Sequence, residues 1–240
     1  RFPNLEKLFV HCNSFEDIFT EDAFGHAGET SCGGLSDMQK PLKALENLKH
    51  LYLSKLCNLK RVWKDGSLMA EILKQIEVMD IISCPSLSIV FPSPISFQSL
   101  TNLKVENCIG LVHMGTCSAV TSLVHLTWLT LKNCRAMEDV VIDDENGVEE
   151  ISFPKLQRLI LDGLQSLESF SSINCAFTFP SLVGILVTKC PKINIFCKGA
   201  LRTPKLKGVF FSYQDREGRL KGDLNTTIQT FSARNNPHRI

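Results

Sequence analysis

Leu100-Thr101-Asn102-Leu103-Lys104-Val105-Glu106-Asn107-Cys108-Ile109-Gly110-Leu111-Val112-His113-Met114 reads as L-x-x-L-x-V-x-x-C, followed by two apolar residues at three-residue steps. Phe97 precedes it by three. The Leu103-x-Val105 alternation is a short strand whose two apolar side chains face inward while Asn102, Lys104 and Glu106 face outward.

The same frame returns along the chain. It reads Leu126, Leu129, Leu131, Cys134, Met137, Val140, then Leu156, Leu159, Leu161, Leu164, Leu167, Phe170, then Leu182, Ile185, Val187, Cys190, Ile193, Phe196. Upstream it reads Leu5, Leu8, Val10, Cys12, Phe15, Ile18, then Leu48, Leu51, Leu53, Leu56, Leu59, Val62, then Ile76, Met79, Ile81, Cys84, Leu87, Val90. Six columns of seven rows make 42 places, outside the Cys column, and all are apolar. The central positions Val10, Leu53, Ile81, Val105, Leu131, Leu161 and Val187 are spaced by 43, 28, 24, 26, 30 and 26 residues, the spacing of a leucine-rich repeat with insertions.

A single coil cannot bury its own leucines, so each relies on its neighbours and several rows are obligatory. The expected fold is therefore an α/β leucine-rich repeat solenoid. It would be curved, with a parallel sheet on the concave face and irregular loops and short helices on the convex face. Residues 69–74 and 119–124 are expected to form such helices, and 143–149 an acidic loop turning at Asn146-Gly147. Pro3, Pro154, Pro180 and Pro204 stand two residues before a row's first leucine and are expected to set the angle at which each strand begins. The expected organisation is about seven repeats over 1–200, with a Gly-rich insertion near 20–38, and a degenerate capping repeat with a C-terminal tail over 201–240. In that last row Gln214 and Glu217 replace apolar residues after Leu206, Val209 and Phe211.

Composition limits the function classes. With 44% hydrophobic and 21% charged residues and no run of 18 apolar ones, no membrane span is expected. The last 50 residues hold ten Lys or Arg against three acids, whereas residues 138–150 hold seven acids and neither Lys nor Arg. Both runs are read as solvated surface. Basic residues are not interleaved with stacking aromatics, so no nucleic-acid partner is expected. The ten cysteines form no C-x-x-C pair, and five share the Cys column, where a reduced thiol acts as a small buried hydrophobe. The six histidines never pair at ligand spacing. Phosphate-loop, dinucleotide, zinc-protease and nucleophile-elbow motifs are all missing, so no enzyme, cofactor or metal role is expected.

Outward strand positions carry no packing duty and are the expected place for partner contacts. The central column runs Phe9, Tyr52, Asp80, Lys104, Thr130, Ile160, Leu186 and Phe210, with Trp128 on the same face. Exposed aromatics of this kind anchor protein interfaces. The residues expected to bind protein are Phe9, Tyr52, Lys104, Trp128, Ile160, Leu186 and Phe210.

Phe2-Pro3-Asn4-Leu5, Phe153-Pro154-Lys155-Leu156, Phe179-Pro180-Ser181-Leu182 with Cys190-Pro191, Ser122-Leu123-Val124, Met137-Glu138-Asp139-Val140-Val141 and the stretch Gly222-Asp223-Leu224-Asn225-Thr226-Thr227-Ile228-Gln229 together resemble plant intracellular immune receptors of the coiled-coil, nucleotide-binding, leucine-rich-repeat type. The resemblance covers nearly the whole chain. It implies a cytoplasmic module for disease resistance, with a pathogen effector or a host guardee as protein partner. It also implies an intramolecular contact that restrains an upstream nucleotide-binding domain, where ADP or ATP would bind. The alternative is an F-box type leucine-rich repeat substrate receptor of a ubiquitin ligase, which also carries Cys-Pro repeats. An extracellular ectodomain fits less well, since the L-x-G-x-I-P framework is missing and Asn225-Thr226-Thr227 is the only sequon. The chain starts in a repeat frame without an initiator Met, so it is expected to be a piece of a longer protein, to lack its upstream part and to self-associate through the first coil.

Overall fold

The computed structural model describes residues 5–11, 17–19, 45–63, 73–92, 97–144 and 146–235. The insertion near 20–38, Cys12 and residues 69–72 of the first expected helix lie outside them. The strands are β1 Lys7–His11, β2 Asp17–Phe19, β3 His50–Ser54, β4 Arg61–Trp63, β5 Val78–Ile82, β6 Ile89–Phe91, β7 Asn102–Glu106, β8 His113–Thr116, β9 Trp128–Lys132, β10 Val141–Ile142, β11 Glu150–Ser152, β12 Arg158–Asp162, β13 Ala176–Thr178, β14 Gly184–Thr188, β15 Leu201–Arg202 and β16 Gly208–Phe210. Helices whose bounds fall within the described residues are α1 Cys117–Val120 and α2 Leu224–Asn235.

Eight of these strands form one parallel sheet in the order β1-β3-β5-β7-β9-β12-β14-β16. Every neighbouring pair keeps the register of the sequence rows, so Val10 stands beside Leu53, Leu53 beside Ile81 and Ile81 beside Val105. The inward leucines from Leu51 to Ile185 are buried, and those of β1, Leu8 and Val10, are partly buried against the same core. The fold is the parallel-stranded leucine-rich repeat solenoid that the row pattern predicts.

Backbone hydrogen bonds join the coils at their corners. Where each strand begins, the carbonyl of one coil accepts from the next: Lys49 O from Glu77 and Val78 N, Glu77 O from Thr101 and Asn102 N, Thr101 O from Thr127 and Trp128 N. Where each strand ends, the bond runs the other way. Lys55, Ser83, Asn107, Asn133 and Gly163 donate to Ile82, Glu106, Lys132, Asp162 and Thr188 O. The residue in front of the Cys column is left-handed in six rows: Lys55 (φ 55), Ser83 (φ 57), Asn107 (φ 58), Asn133 (φ 54), Gly163 (φ 70) and Lys189 (φ 54). This conformation swings the chain out of the strand and aims the following residue into the core. It costs a non-glycine residue about 1–2 kcal/mol. Asn133 Nδ2 donates to Asn107 Oδ1 at 3.0 Å. A Cβ on Gly163 would lie 2.4 Å from Asn133 Oδ1, which ends that stack of side chains.

The Cys column faces the core. The thiols of Cys84, Cys108, Cys134 and Cys190 each donate to the carbonyl two residues back, at 3.7, 3.6, 3.5 and 3.3 Å. Their neighbour Cys134 pushes the Cys108 thiol up to about 12, and burial pushes Cys190 up to about 12. Such thiols stay protonated and inert, which suits a packing role.

The return side is more regular than the sequence suggests. Short parallel stacks β10-β8-β6, β11-β13-β15 and β2-β4 run along it. Pairs of adjacent apolar residues such as Val90-Phe91 and Val140-Val141 are buried there. Pro154, Pro180 and Pro204 each follow the carbonyl that closes a four-residue turn: Phe153 to Leu156, Phe179 to Leu182, Thr203 to Leu206. They thus shape the turn ahead of the strand, where their fixed φ is favourable, rather than the strand's own first residue. Phe153 stacks on Phe179 at 5.3 Å and Phe170 on Phe196 at 4.8 Å, and Phe170 meets Phe179 edge-on, forming an aromatic spine behind the sheet. The helix expected over 119–124 starts earlier, because Thr116 caps it by accepting from Ala119 N, and ends at Val120. Residues 143, 144 and 146–149 carry neither helix nor strand, as expected of the loop, with Gly147 at φ 65, and Asp144 accepts from Ser118 N at 3.0 Å.

Beyond Ile193 the coils are closed by the chain itself. Asn225 Oδ1 accepts from Phe196 N and Cys197 N at 2.9 and 3.1 Å, while its Nδ2 donates to Cys197 O at 2.8 Å. Leu224 and Ile228 of α2 are buried in the common core. Val209 of β16 exchanges two hydrogen bonds with Arg219 in an antiparallel bridge.

Two substitutions at the left-handed corner test its cost. Gly163→Ala is expected to destabilise by about 1–3 kcal/mol, whereas Lys189→Gly is expected to be neutral or to stabilise by up to about 1 kcal/mol. Urea midpoints read both, and equal behaviour of the two variants would contradict the corner geometry. Removing the clip with Asn225→Ala should cost about 2 kcal/mol and speed amide exchange at Phe196 and Cys197, and unchanged protection there would contradict it.

Candidate functional site

Alternation puts three columns of each strand on the open face of the long sheet. The central one is in register throughout: Phe9, Tyr52, Asp80, Lys104, Thr130, Ile160, Leu186 and Phe210 stand side by side across the eight strands. One flanking column contains His50, Val78, Asn102, Trp128, Arg158 and Gly184, and the other contains Ser54, Ile82, Glu106, Lys132, Asp162 and Thr188.

The expected binding residues are not equally free. Phe9 is 69% exposed and Trp128 44% exposed, the two most open apolar side chains of the column and its flank. Phe9 and Tyr52 stack with centroids 4.4 Å apart and planes 5° apart, and His50 lies 6.3 Å from Tyr52 on its other flank. Lys104, Ile160 and Leu186 are half-buried in the middle of the face. Phe210 is differently placed. Its ring lies 3.4 Å from where a Cβ of Gly184 would stand and 3.1 Å from that of Gly218, so it packs between two glycines at the closed end.

Charge forms a connected line on one side of the column. Lys104 Nζ pairs with Glu106 at 2.8 Å, and Lys132 Nζ reaches Glu106 at 4.0 Å and Asp162 at 3.9 Å. Burial raises the carboxyl of Asp80 above the ordinary range against the opposing pull of Lys104 and His50. On the other side the Arg158 guanidinium sits 5.5 Å above the Trp128 ring, a cation–π pair that holds the indole outward.

Asp162 departs from the pattern. It occupies an outward position yet is only 3% exposed. Tyr213, from the turn after β16, reaches back past β14, and its hydroxyl donates to Asp162 Oδ2 at 2.9 Å. Asp162 Oδ1 is buried with no hydrogen-bond partner among the described residues. The flanking residues Arg158, Glu106, Lys132 and Asp162 were readable from the same alternation that gives the central column. Tyr213 carried no such signal, because it arrives from outside the repeat.

The face sets exposed aromatic side chains beside paired charges. Among the described residues no group of three or more His, Cys, Asp or Glu gathers as a metal ion would need, and no helix is long and apolar enough to cross a membrane.

A family model for plant disease resistance protein RPS2-like leucine-rich repeats matches residues 1–96 and 93–198. A probable disease resistance protein of Arabidopsis thaliana, At4g14610, is 28% identical over 160 residues, 62% of this chain. The chain spans 19% of that relative's length. No solved structure matches.

Burial and then the bond to Asp162 push the Tyr213 phenol up to about 12. Its folded value exceeds the unfolded value of about 10. The unfolded chain therefore loses this proton first, so the stabilisation is complete below pH about 10 and is lost as pH rises toward 12. With two tyrosines in the chain, tyrosinate absorbance resolves the step. Asp162→Asn should bring one of the two ionisations down toward 10, and an unchanged titration would mean that the contact does not form in solution.

Proposed function

Because this chain belongs to the RPS2-like leucine-rich-repeat family of plant disease resistance proteins, we propose that the long sheet face is the recognition surface of an intracellular defence receptor. It binds a pathogen effector or the host protein that the effector modifies. The same face restrains an upstream nucleotide-binding domain until that ligand arrives. A ligand releases such a restraint only if it binds the free face better than the occupied one.

One observation carries the proposal. Within single strands, fully buried leucines alternate with aromatic side chains that the core does not bury, Trp128 exposed beside Leu129 and Tyr52 half-buried between Leu51 and Leu53. Phe9, Tyr52 and Trp128 have no packing task that explains their size, and stacked aromatics are what interface hot spots use. Lys104, Ile160 and Leu186 extend the contact between them. Phe210 supports the closed end more than the contact.

The test places Phe9→Asp with Trp128→Asp in the full-length receptor, with Ile109→Asp as the control, a residue 54% exposed outside the sheet. Receptor accumulation and the leaf defence response are read together. The double variant is expected to accumulate normally and to lower the response roughly tenfold or more, the size of a hot-spot loss, if the ligand contact dominates. It is expected to respond without a ligand if the internal contact dominates. A response equal to that of wild type and of the Ile109 variant would overturn the proposal.

A further inference from the structure

Among the described residues the proposed recognition face leaves two buried side-chain atoms without a hydrogen-bond partner, His50 Nδ1 and Asp162 Oδ1, and the second belongs to a carboxylate. Asp162 ends β12 at an outward position, between Lys132 of β9 and Thr188 of β14. Everything that reaches its carboxylate reaches the same oxygen: the Tyr213 hydroxyl at 2.9 Å and Lys132 Nζ at 3.9 Å both meet Oδ2. Oδ1 is enclosed and has no partner among the described residues. An enclosed carboxylate oxygen without a donor is costly, and the nearest cation is shared with Glu106 at 4.0 Å.

The group that completes Oδ2 is loosely held. Tyr213 is 64% exposed, and its turn is fixed locally, by Asp215 Oδ2 accepting from Phe211 N and Ser212 N at 2.8 and 3.0 Å, rather than by the phenol. Two side-chain torsions suffice to lift the ring away while that turn stays in place. Once the ring has moved, Oδ2 is released from the phenol and stands beside the unpartnered Oδ1.

We propose that Asp162 is the docking point for an arginine side chain of the bound protein, with the Tyr213 hydroxyl acting as its placeholder in the free receptor. The inference rests on the reading of the sheet face as the recognition surface. Arginine fits better than lysine, because a planar guanidinium offers two parallel N–H donors to the two oxygens of one carboxylate, whereas an ammonium meets one at a time. Lys132 already supplies a point charge at 3.9 Å and leaves Oδ1 unpaired. The partner's contact region would thus combine a basic residue over β12 with apolar groups over Ile160 and Leu186, which lie next to it on the face.

The probe is N-acetyl-arginine amide, against N-acetyl-citrulline amide, which keeps the shape and loses the charge. Titration of the 240-residue chain is followed through the backbone amides of Lys132, Gly163 and Thr188 by nuclear magnetic resonance. Saturable shifts are expected with arginine amide and not with the citrulline compound or with N-acetyl-lysine amide at equal concentration. Tyr213→Phe, which keeps the ring and removes the competing hydroxyl, should tighten arginine binding roughly tenfold or more, the worth of one hydrogen bond to a charged group. Asp162→Asn should abolish it. Equal shifts with all three amides, or no gain in Tyr213→Phe, would overturn the proposal, and the second result holds even if Asp162→Asn fails to fold. The titration uses neither Phe9 nor Trp128. Arginine binding at Asp162 with an indifferent Phe9/Trp128 variant would therefore count against the wider face and not against this site.

Discussion

Each coil hands the same backbone N–H groups to the same carbonyls of its neighbour, and everything else in the structure follows from that constraint. A buried peptide group that misses its partner costs as much as a lost hydrogen bond, so the corners must coincide from coil to coil. Lys49, Glu77, Thr101, Thr127 and Gln157 each accept at the same corner, although the rows between them differ in length. The variable spacing, from 24 to 30 residues after the first gap, is taken up on the return side. There the chain uses a four-residue helix in one coil and two- or three-residue strands in others.

How much of this the sequence discloses depends on whether a position is defined by side-chain chemistry or by backbone shape. The inward columns are legible because every coil needs an apolar residue there, and seven rows repeat it. The left-handed column is hidden because Lys55, Ser83, Asn107, Asn133, Gly163 and Lys189 share a φ and almost nothing else. The return strands are too short for periodicity to show. The prolines are visible, but their place in the turn ahead of the strand only emerges once the Phe153 and Phe179 carbonyls are seen to close on Leu156 and Leu182.

The face shows the same division. Its central column is readable by counting in twos, which brings Phe9, Tyr52, Lys104, Ile160 and Leu186 into one line. Counting does not say which members remain open. Phe210 falls in the column and is then enclosed by Gly184 and Gly218, while Asp162 falls on a flank and is covered by a tyrosine 51 residues later. Both departures come from the segment after β16, which lies outside the repeat and so escapes any rule drawn from it. Membership of the disease resistance family singles out no residue of the face, and the uneven exposure of its side chains separates open positions from covered ones.

The antiparallel bridge between Val209 and Arg219 has a consequence for how chains of this design change in length. A parallel edge is a template, since any further coil with the same corners extends it at constant register. An edge already met by an antiparallel bridge from Arg219 offers no such template at Val209. Gain or loss of whole coils is therefore tolerated in the interior, where both neighbours present matching corners, and blocked at this end. Duplication can lengthen the long sheet face while the closing segment, with Tyr213 and Asn225, keeps its geometry relative to the last coils.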